Sequence, residues 1–261
     1  MTFTIGADPE VFVGVNKKFV SAHDLVPGTK LKPYPVLEGS VQVDGMALEY
    51  NINPCESKQE FTHRISFVRQ QMQDMLQGVE IMPVSCVEFD KKTIEGVPTK
   101  NYELGCSVDF NAYTGEPNET PNSKLMMRTA GGHVHIGGFH TNKRYSSEHY
   151  SKCTRLTRLM DKELGIYSLI WDTDTKRRSM YGKAGCFRPT YYGVEYRSLS
   201  NLWIFNTDLV EFVYDATQTA YDKFLSGETV NTDKYEQIIN NSLIEEVNDK
   251  TAECVRSIVN D

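Results

Sequence analysis

Two periods of apolar and polar positions run along this chain. In the first fifty residues the alternation is short: Phe3–Ile5, Val11–Val15 and Lys18–Ser21 read as strands of a meander turning at Asn16-Lys17. Gly28 to Pro35 (GTKLKPYP) reads as a loop. Val36–Val43 and Met46–Ile52 flank Asp44-Gly45, a two-residue hairpin signal. From 57 to 77 the period lengthens. Phe61, Ile65, Val68, Met72, Met75 and Leu76 recur at three- and four-residue steps, which predicts an amphipathic helix. Ser57 and Glu60 have the spacing of a capping box at its start. Ile81–Phe89 reads as a strand, and 90–125, rich in Pro, Gly, Asn and Thr, as a long excursion of functional character. Met126–Phe139 holds a strand broken by glycines, and Ser146–Leu169 a second long helix. Residues 172–200 return to turns and strands. Thr207–Leu225 and Lys234–Ile258 read as closing helices. No repeat or linker interrupts this order, so one domain over residues 1–261 is expected.

Within the strand-like segments, charged or coordinating residues come in pairs two positions apart. They are Asp8/Glu10 in IGADPEVFVGV, Glu49/Asn51 in MALEYNI, His133/His135 in GGHVHIGG and Glu195/Arg197 in YGVEYRSL. A strand points residues i and i+2 to the same face, so each pair projects together. If these strands are neighbours in one sheet, one face carries carboxylates, imidazoles and a guanidinium. Such a face is costly to bury without metal ions or anions to match it. That pattern marks an active site.

Composition narrows the class. An apolar fraction of 39% and a charged fraction of 24% fit a globular protein with a sizeable core. No stretch approaches the roughly 20 apolar residues of a membrane span. The opening MTFTIGADPE has no basic region followed by an apolar run, so no secretory signal is visible and a cytoplasmic location is expected. The net charge of −7 argues against nucleic acid as a partner, and no membrane contact is expected. Cys55, Cys86, Cys106, Cys153, Cys186 and Cys254 are scattered without a CxxC and read as reduced thiols.

The chemistry follows from the residue types. Asp8, Glu10, Glu49 and Glu195 are hard oxygen ligands suited to Mg²⁺ or Mn²⁺, and one imidazole among them still fits those ions. Two such metals would neutralise polyphosphate, as phosphoryl transfer requires. Either His133 or His135 could bind metal, and the other could donate to a phosphate or a tetrahedral intermediate. Arg177, Arg178, Lys183 and Arg188 in KRRSMYGKAGCFRP, together with Arg197, offer groups for phosphate. Lys176 and Arg177 read as a solvated basic loop, whereas Arg188 and Arg197 lie among aromatic and apolar residues. No Walker loop is present.

Taken together, GADPE, HDLVPGTK, VDGMALEYNINP, GCSVDFNAY, AGGHVHIG, RRSMYGKAGCFRP and GVEYRSLSN resemble, in content and order, the glutamine synthetase-like carboxylate–amine ligases. Within that superfamily the sequence is similar to the phage-encoded COOH·NH2 ligase type 2 family, over about residues 5–205. The resemblance implies an α+β fold: a glutamine synthetase-like curved antiparallel β-sheet forming a funnel or half-barrel, backed by α-helices. ATP would enter one end, a small-molecule or peptide carboxylate and an amine the other, with Mg²⁺ or Mn²⁺ between. The acid would be phosphorylated to an acyl phosphate, which the amine attacks. The location would be cytoplasmic, in the host if phage-encoded, and the assembly a monomer or small homo-oligomer.

Residue by residue, the resemblance makes Asp8, Glu10, Glu49, His133 and Glu195 metal ligands. Asp8 stands where glutamine synthetases carry a longer glutamate. Glu195, Arg197 and His135 would be catalytic, with Arg197 contacting the transferring phosphoryl group. Lys183, Arg188, Arg178 and Arg197 would hold the nucleotide phosphates. The segment 90–125 would cover the acyl phosphate, with Asp109 and Asn111 near the acid or amine. Two other classes compete: a zinc or other metal-dependent hydrolase using His133/His135, and a catalytically silent binding module on the same fold.

Overall fold

The computed structural model describes residues 2–98, 109–119 and 126–260. Cys106 and the first part of GCSVDFNAY lie outside the described residues. The N-terminal chain forms β1 (Thr4–Ala7) and β2 (Glu10–Val15), interrupted only by Asp8-Pro9. Pro9 has no N–H to give to a ladder, and the chain bends there between two antiparallel sheets. β1 pairs with β11 (Val134–Gly137), which is followed by β13 (Gly193–Tyr196), β12 (Cys186–Pro189) and β9 (Phe110–Asn111). β2 pairs with β3 (Lys18–Val20), β6 (Ala47–Ile52) and β7 (Glu80–Met82), and β6 leads on to β5 (Gly39–Asp44) and β4 (Tyr34–Val36).

Hydrogen bonds stitch the two sheets across the bend. Asp8 N donates to His133 O at 3.4 Å, Glu10 N to Gly131 O at 2.9 Å, and Tyr50 N to Pro9 O at 3.1 Å. Ile5 and Cys55 exchange a pair of bonds at 2.9 and 2.7 Å. The strands that carry the four sequence pairs are therefore split between two antiparallel sheets joined at the bend, not neighbours in one sheet. Among the described residues the sheets stay open rather than closing into a barrel.

The alternation sorts the two faces. Val134, Ile136, Val194, Tyr196 and Phe187 are buried on one side. There α3 (Ser147–Met160) packs on β12 and β13, and α6 (Thr207–Leu225) packs on α3 and α1 (Lys58–Met75). α1 in turn covers β5 and β6. His133, His135, Arg188, Glu195 and Arg197 alternate with those apolar residues and so share the opposite face.

Several elements depart from the sequence reading, each for a local reason. Ile81–Phe89 is two strands, β7 and β8 (Cys86–Glu88), with Pro83 between them; β8 pairs with β10 (Met127–Thr129) instead of β2. The helix expected over Ser146–Leu169 ends as α3 at Met160, widens into a π turn at Asp161–Gly165 and resumes as α4 (Ser168–Trp171). Asp161 anchors that turn: its carboxylate accepts from Tyr196 Oη at 2.6 Å and from Gly185 N at 2.7 Å. Lys234–Ile258 divides into α7 (Lys234–Asn240) and α8 (Lys250–Asn260), because the chain turns through the left-handed region at Ser242 (φ 54°). The segment 90–98 carries α2 (Lys91–Glu95), capped by Asp90. α5 (Thr175–Met180) occupies the basic stretch expected to be a solvated loop. The hairpin after β5 turns at Gly45-Met46, not Asp44-Gly45, so Asp44 pairs with Ala47 and Glu49 stands opposite Gln42. No helix of the described residues is long and apolar enough to cross a membrane.

Candidate metal and catalytic site

The ladder register lays the polar residues out in rows. In one row Gly6, His135, Glu195 and Arg188 stand side by side on β1, β11, β13 and β12. One step along, Asp8 neighbours His133, and Arg197 follows Glu195 by two residues, with its N–H bonded to Cys186 O at 2.9 Å. One step further, Glu10 is opposite Glu49, which is opposite Gln42. Asp8 and Glu10 flank the bend at Pro9, so each faces a different group.

The first group joins Asp8, His135 and Glu195, whose ligand atoms lie within 4.8 Å of one another. His135 Nε2 is 3.0 Å from Asp8 Oδ1, without the alignment of a hydrogen bond. Its Nδ1 contacts the Tyr192 hydroxyl. Glu195 is buried between two guanidinium groups: Arg188 donates to Oε2 at 2.9 Å, and Arg197 donates to Oε1. Arg197 also contacts the Tyr181 hydroxyl and lies 3.3 Å from Asp109 Oδ2. Burial opposes charge here, but the two imidazoles hold the Asp8 carboxyl well below the ordinary range. Burial likewise works against a charged His135, and Asp8 outweighs it, raising that imidazole well above its usual value. Burial, reinforced by Asp8, lifts Glu195 to about 7 against His135 and Arg188.

The second group joins Glu10, Asp44 and Glu49, again within 4.8 Å of one another. Gly131 N donates to Glu10 Oε2 at 2.8 Å. Lys30 Nζ reaches both Asp44 oxygens, at 3.2 and 3.0 Å. Gly28 makes that reach possible: a Cβ there would lie 2.0 Å from Val41 O, so only glycine lets the loop lie on β5. Burial and the neighbouring acidic groups push Glu10 up to about 7 and Glu49 well above its usual value.

Their charges distinguish the two groups. In the first, Asp8, Asp109 and Glu195 are matched one for one by His135, Arg188 and Arg197. In the second, three carboxylates share the single ammonium of Lys30, a formal charge of −2. An all-oxygen set with that charge fits one hard divalent cation.

Other expected residues are placed differently. His133 lies beside the first group as well, with its Nδ1 3.6 Å from Glu195 Oε1. The His133 Nδ1 lies 3.2 Å from Asp8 Oδ1 and 3.3 Å from Arg197 Nη1, and burial beside Arg197 drives its imidazole down to about 3, hence neutral. Its ring fills the space over Gly131, where a Cβ would come within 2.2 Å of Nε2. Arg178 is a correction to the nucleotide-binding set. Its guanidinium is buried on Asp172, donating to the backbone oxygen at 2.9 Å. Arg177 is a correction too: it is fully buried, 3.1 Å from the same carboxylate, because α5 folds back onto Asp172. Lys183 is exposed in the loop before β12. Asp109 Oδ2 lies 3.3 Å from Arg197 Nε. Asn111 instead holds a turn, accepting from Tyr113 N at 2.7 Å. The sequence reading missed Lys30, Gln42, Asp44, Tyr181 and Tyr192.

No family model matches the sequence, and the comparison with curated proteins finds no match. The solved structures similar to it include a bifunctional glutathione synthetase from Pasteurella multocida, at a TM-score of 0.44 and 13% sequence identity. That likeness covers 99% of this chain and 46% of the other, so the chain spans about half the length of that protein.

Proposed function

We propose that this chain is an ATP-dependent carboxylate–amine ligase that uses Mg²⁺ or Mn²⁺ and passes through an acyl-phosphate intermediate. One observation carries the reading: a carboxylate group short of two positive charges lies directly across Pro9 from a partly buried group of two arginines and two histidines. A carboxylate becomes a good electrophile only when phosphorylated, and that step needs cations and guanidinium groups around one phosphoryl group. The sequence resemblance points to the same chemistry and to a glutamine synthetase-like funnel.

In this reading Glu10 and Glu49 hold the cation, with Asp8 and Glu195 turned toward the neighbouring position. A bound divalent cation supplies charge neutralisation for phosphate oxygens. Arg188 and Arg197 converge on Glu195 as they would on a phosphoryl group, which offers the same paired oxygen acceptors. His135, fixed between Asp8 and Tyr192, faces the reacting groups, and Lys183 lies at the rim for the outer phosphates. The substrates are a small-molecule or peptide carboxylate and an amine. The chain acts in the cytoplasm as a single catalytic unit, a monomer or small homo-oligomer. The test is ADP release from Mg·ATP across a panel of amino acids and polyamines. Release should require acid and amine together; absence of nucleotide binding with Mg²⁺ present would sink the reading.

The grouping of Asp8, His135 and Glu195 favours a second reading, a zinc-dependent hydrolase. It ranks below the first because the charges of that group are already matched by arginine. Stoichiometric zinc in the purified protein, with no affinity for ATP, would reverse the order.

A further inference from the structure

Gln42 is the polar residue that neither the sequence motifs nor the ligase reading uses. It sits on β5 directly opposite Glu49, and Asp44 follows it by two residues on the same face. Gln42 is 4% exposed, and its Oε1 is buried with no hydrogen-bond partner among the described residues. A buried amide oxygen without a partner is costly, and proteins rarely leave one so. Its register places it at the end of a row that continues through Glu49 and Glu10, beside the carboxylate of Asp44. An amide oxygen is a neutral hard donor of the kind that Mg²⁺, Mn²⁺ and Ca²⁺ accept.

We infer that Gln42 supplies a neutral oxygen ligand to a divalent cation held by Glu10, Glu49 and Asp44, and that Lys30 fixes the charge of this site at −2. This rests on the cation part of the ligase reading, but not on ATP or amide formation. Three carboxylates alone carry a formal charge of −3, one more than a divalent cation neutralises. Lys30, seated on both oxygens of Asp44, removes one charge from that sum and holds Asp44 in position. Gln42 then adds a fourth protein oxygen without altering it.

The experiment uses the full chain without nucleotide, titrated with Mn²⁺ by electron paramagnetic resonance and with Tb³⁺ by luminescence, folding being checked by circular dichroism. Gln42→Leu should weaken Mn²⁺ binding by about tenfold or more. Gln42→Glu, which keeps the shape and adds a charge, should tighten it. Lys30→Met should shift preference from Mn²⁺ toward Tb³⁺ by roughly tenfold. Unchanged Mn²⁺ affinity in folded Gln42→Leu, or weaker binding in Gln42→Glu, overturns the role of Gln42; an unchanged preference in Lys30→Met overturns that of Lys30. Wild-type protein that binds no Mn²⁺ overturns the site itself. Mn²⁺ binding with these variant effects but without ADP release would leave the inference standing and defeat the ligase reading instead.

Discussion

Glu10 and Glu49 stand directly opposite each other across the antiparallel pair of β2 and β6. Like charges in that relation are destabilising by about 0.2–1 kcal/mol, and more where both are buried. Glu49→Gln should therefore raise the melting temperature at pH 8 in a chelator. The same change should abolish the upward shift produced by Mg²⁺, which in wild type would be worth about 2.7 kcal/mol at a hundredfold excess over Kd. Thermal melts with and without Mg²⁺ check both halves. A variant that melts lower than wild type in chelator, yet keeps its Mg²⁺ response, would show that the two carboxylates are not a cation pair.

Stability of the metal-free protein should fall as pH rises from about 4 to about 7. Burial raises Asp161 from 3.8 to about 7, and burial with acidic neighbours raises Glu10 and Glu195 from 4.5 to about 7. Each folded value lies above the unfolded one, so the folded state binds the extra proton. The contribution is complete below the unfolded value and is lost as pH climbs through the folded one. One unit corresponds to about 1.4 kcal/mol; His133, driven down to about 3, works in the opposite direction over the same window, and the three raised carboxyls outweigh it by on the order of several kcal/mol. Mg²⁺ favours ionised Glu10 and should flatten part of the slope, while the part due to Asp161, which lies away from both ligand groups, should remain. Urea melts at several pH values, with and without Mg²⁺, measure this; a metal-free stability that rises over the same window would contradict it.

How much of this was legible beforehand depends on period and register. The two-residue spacing of His133/His135 and Glu195/Arg197 was enough to put each of those pairs on one face, whereas Asp8 and Glu10 are parted by the bend at Pro9 and face different groups. The neighbour relations came from hydrogen bonds that the sequence does not display, such as Glu10 N to Gly131 O. Asp44 was hidden by a one-residue difference in the hairpin. Read as a turn residue, it has no ligand role; paired with Ala47, it becomes a strand residue two positions from Gln42. Lys30 was hidden in a loop whose path over β5 depends on contacts with Val41 and Val43. Arg177 looked solvated and Arg178 free for phosphate because three basic residues in a row carry no sign of the buried Asp172 that faces them. Arg197 lies beside His133, a contact between residues 64 apart that the sequence does not display.

Glu195 and Arg197 test the transfer chemistry. Glu195→Gln preserves shape and removes the charge on which Arg188 and Arg197 converge. ADP release should drop by at least about a hundredfold, as when one preorganised charge-stabilising group is lost. Arg197→Lys should fall by a similar factor although charge is kept, since an ammonium cannot reproduce the fork that meets Glu195 and Tyr181 at once. Steady-state assays with a saturating acid and amine are the measurement. Near-wild-type turnover in Arg197→Lys would remove Arg197 from the reaction.

Arg177 and Asp172 provide the control that separates structure from function. The guanidinium is fully buried, 3.1 Å from a carboxylate that also takes the neighbouring Arg178 at 3.6 Å. Removing Arg177 breaks one side of this buried cluster and leaves Asp172 to Arg178 alone, a loss on the order of a few kcal/mol. Arg177→Leu should therefore lower stability strongly. Adding Asp172→Asn to Arg177→Leu should deepen the loss, because the buried guanidinium of Arg178 then has no carboxylate. Neither change removes an oxygen of the proposed cation group, so the Mn²⁺ affinity of the folded protein should change far less than its stability. A folded Arg177→Leu protein that retains its stability but loses nucleotide affinity would return this arginine to the phosphate-binding set from which its contact with Asp172 removes it.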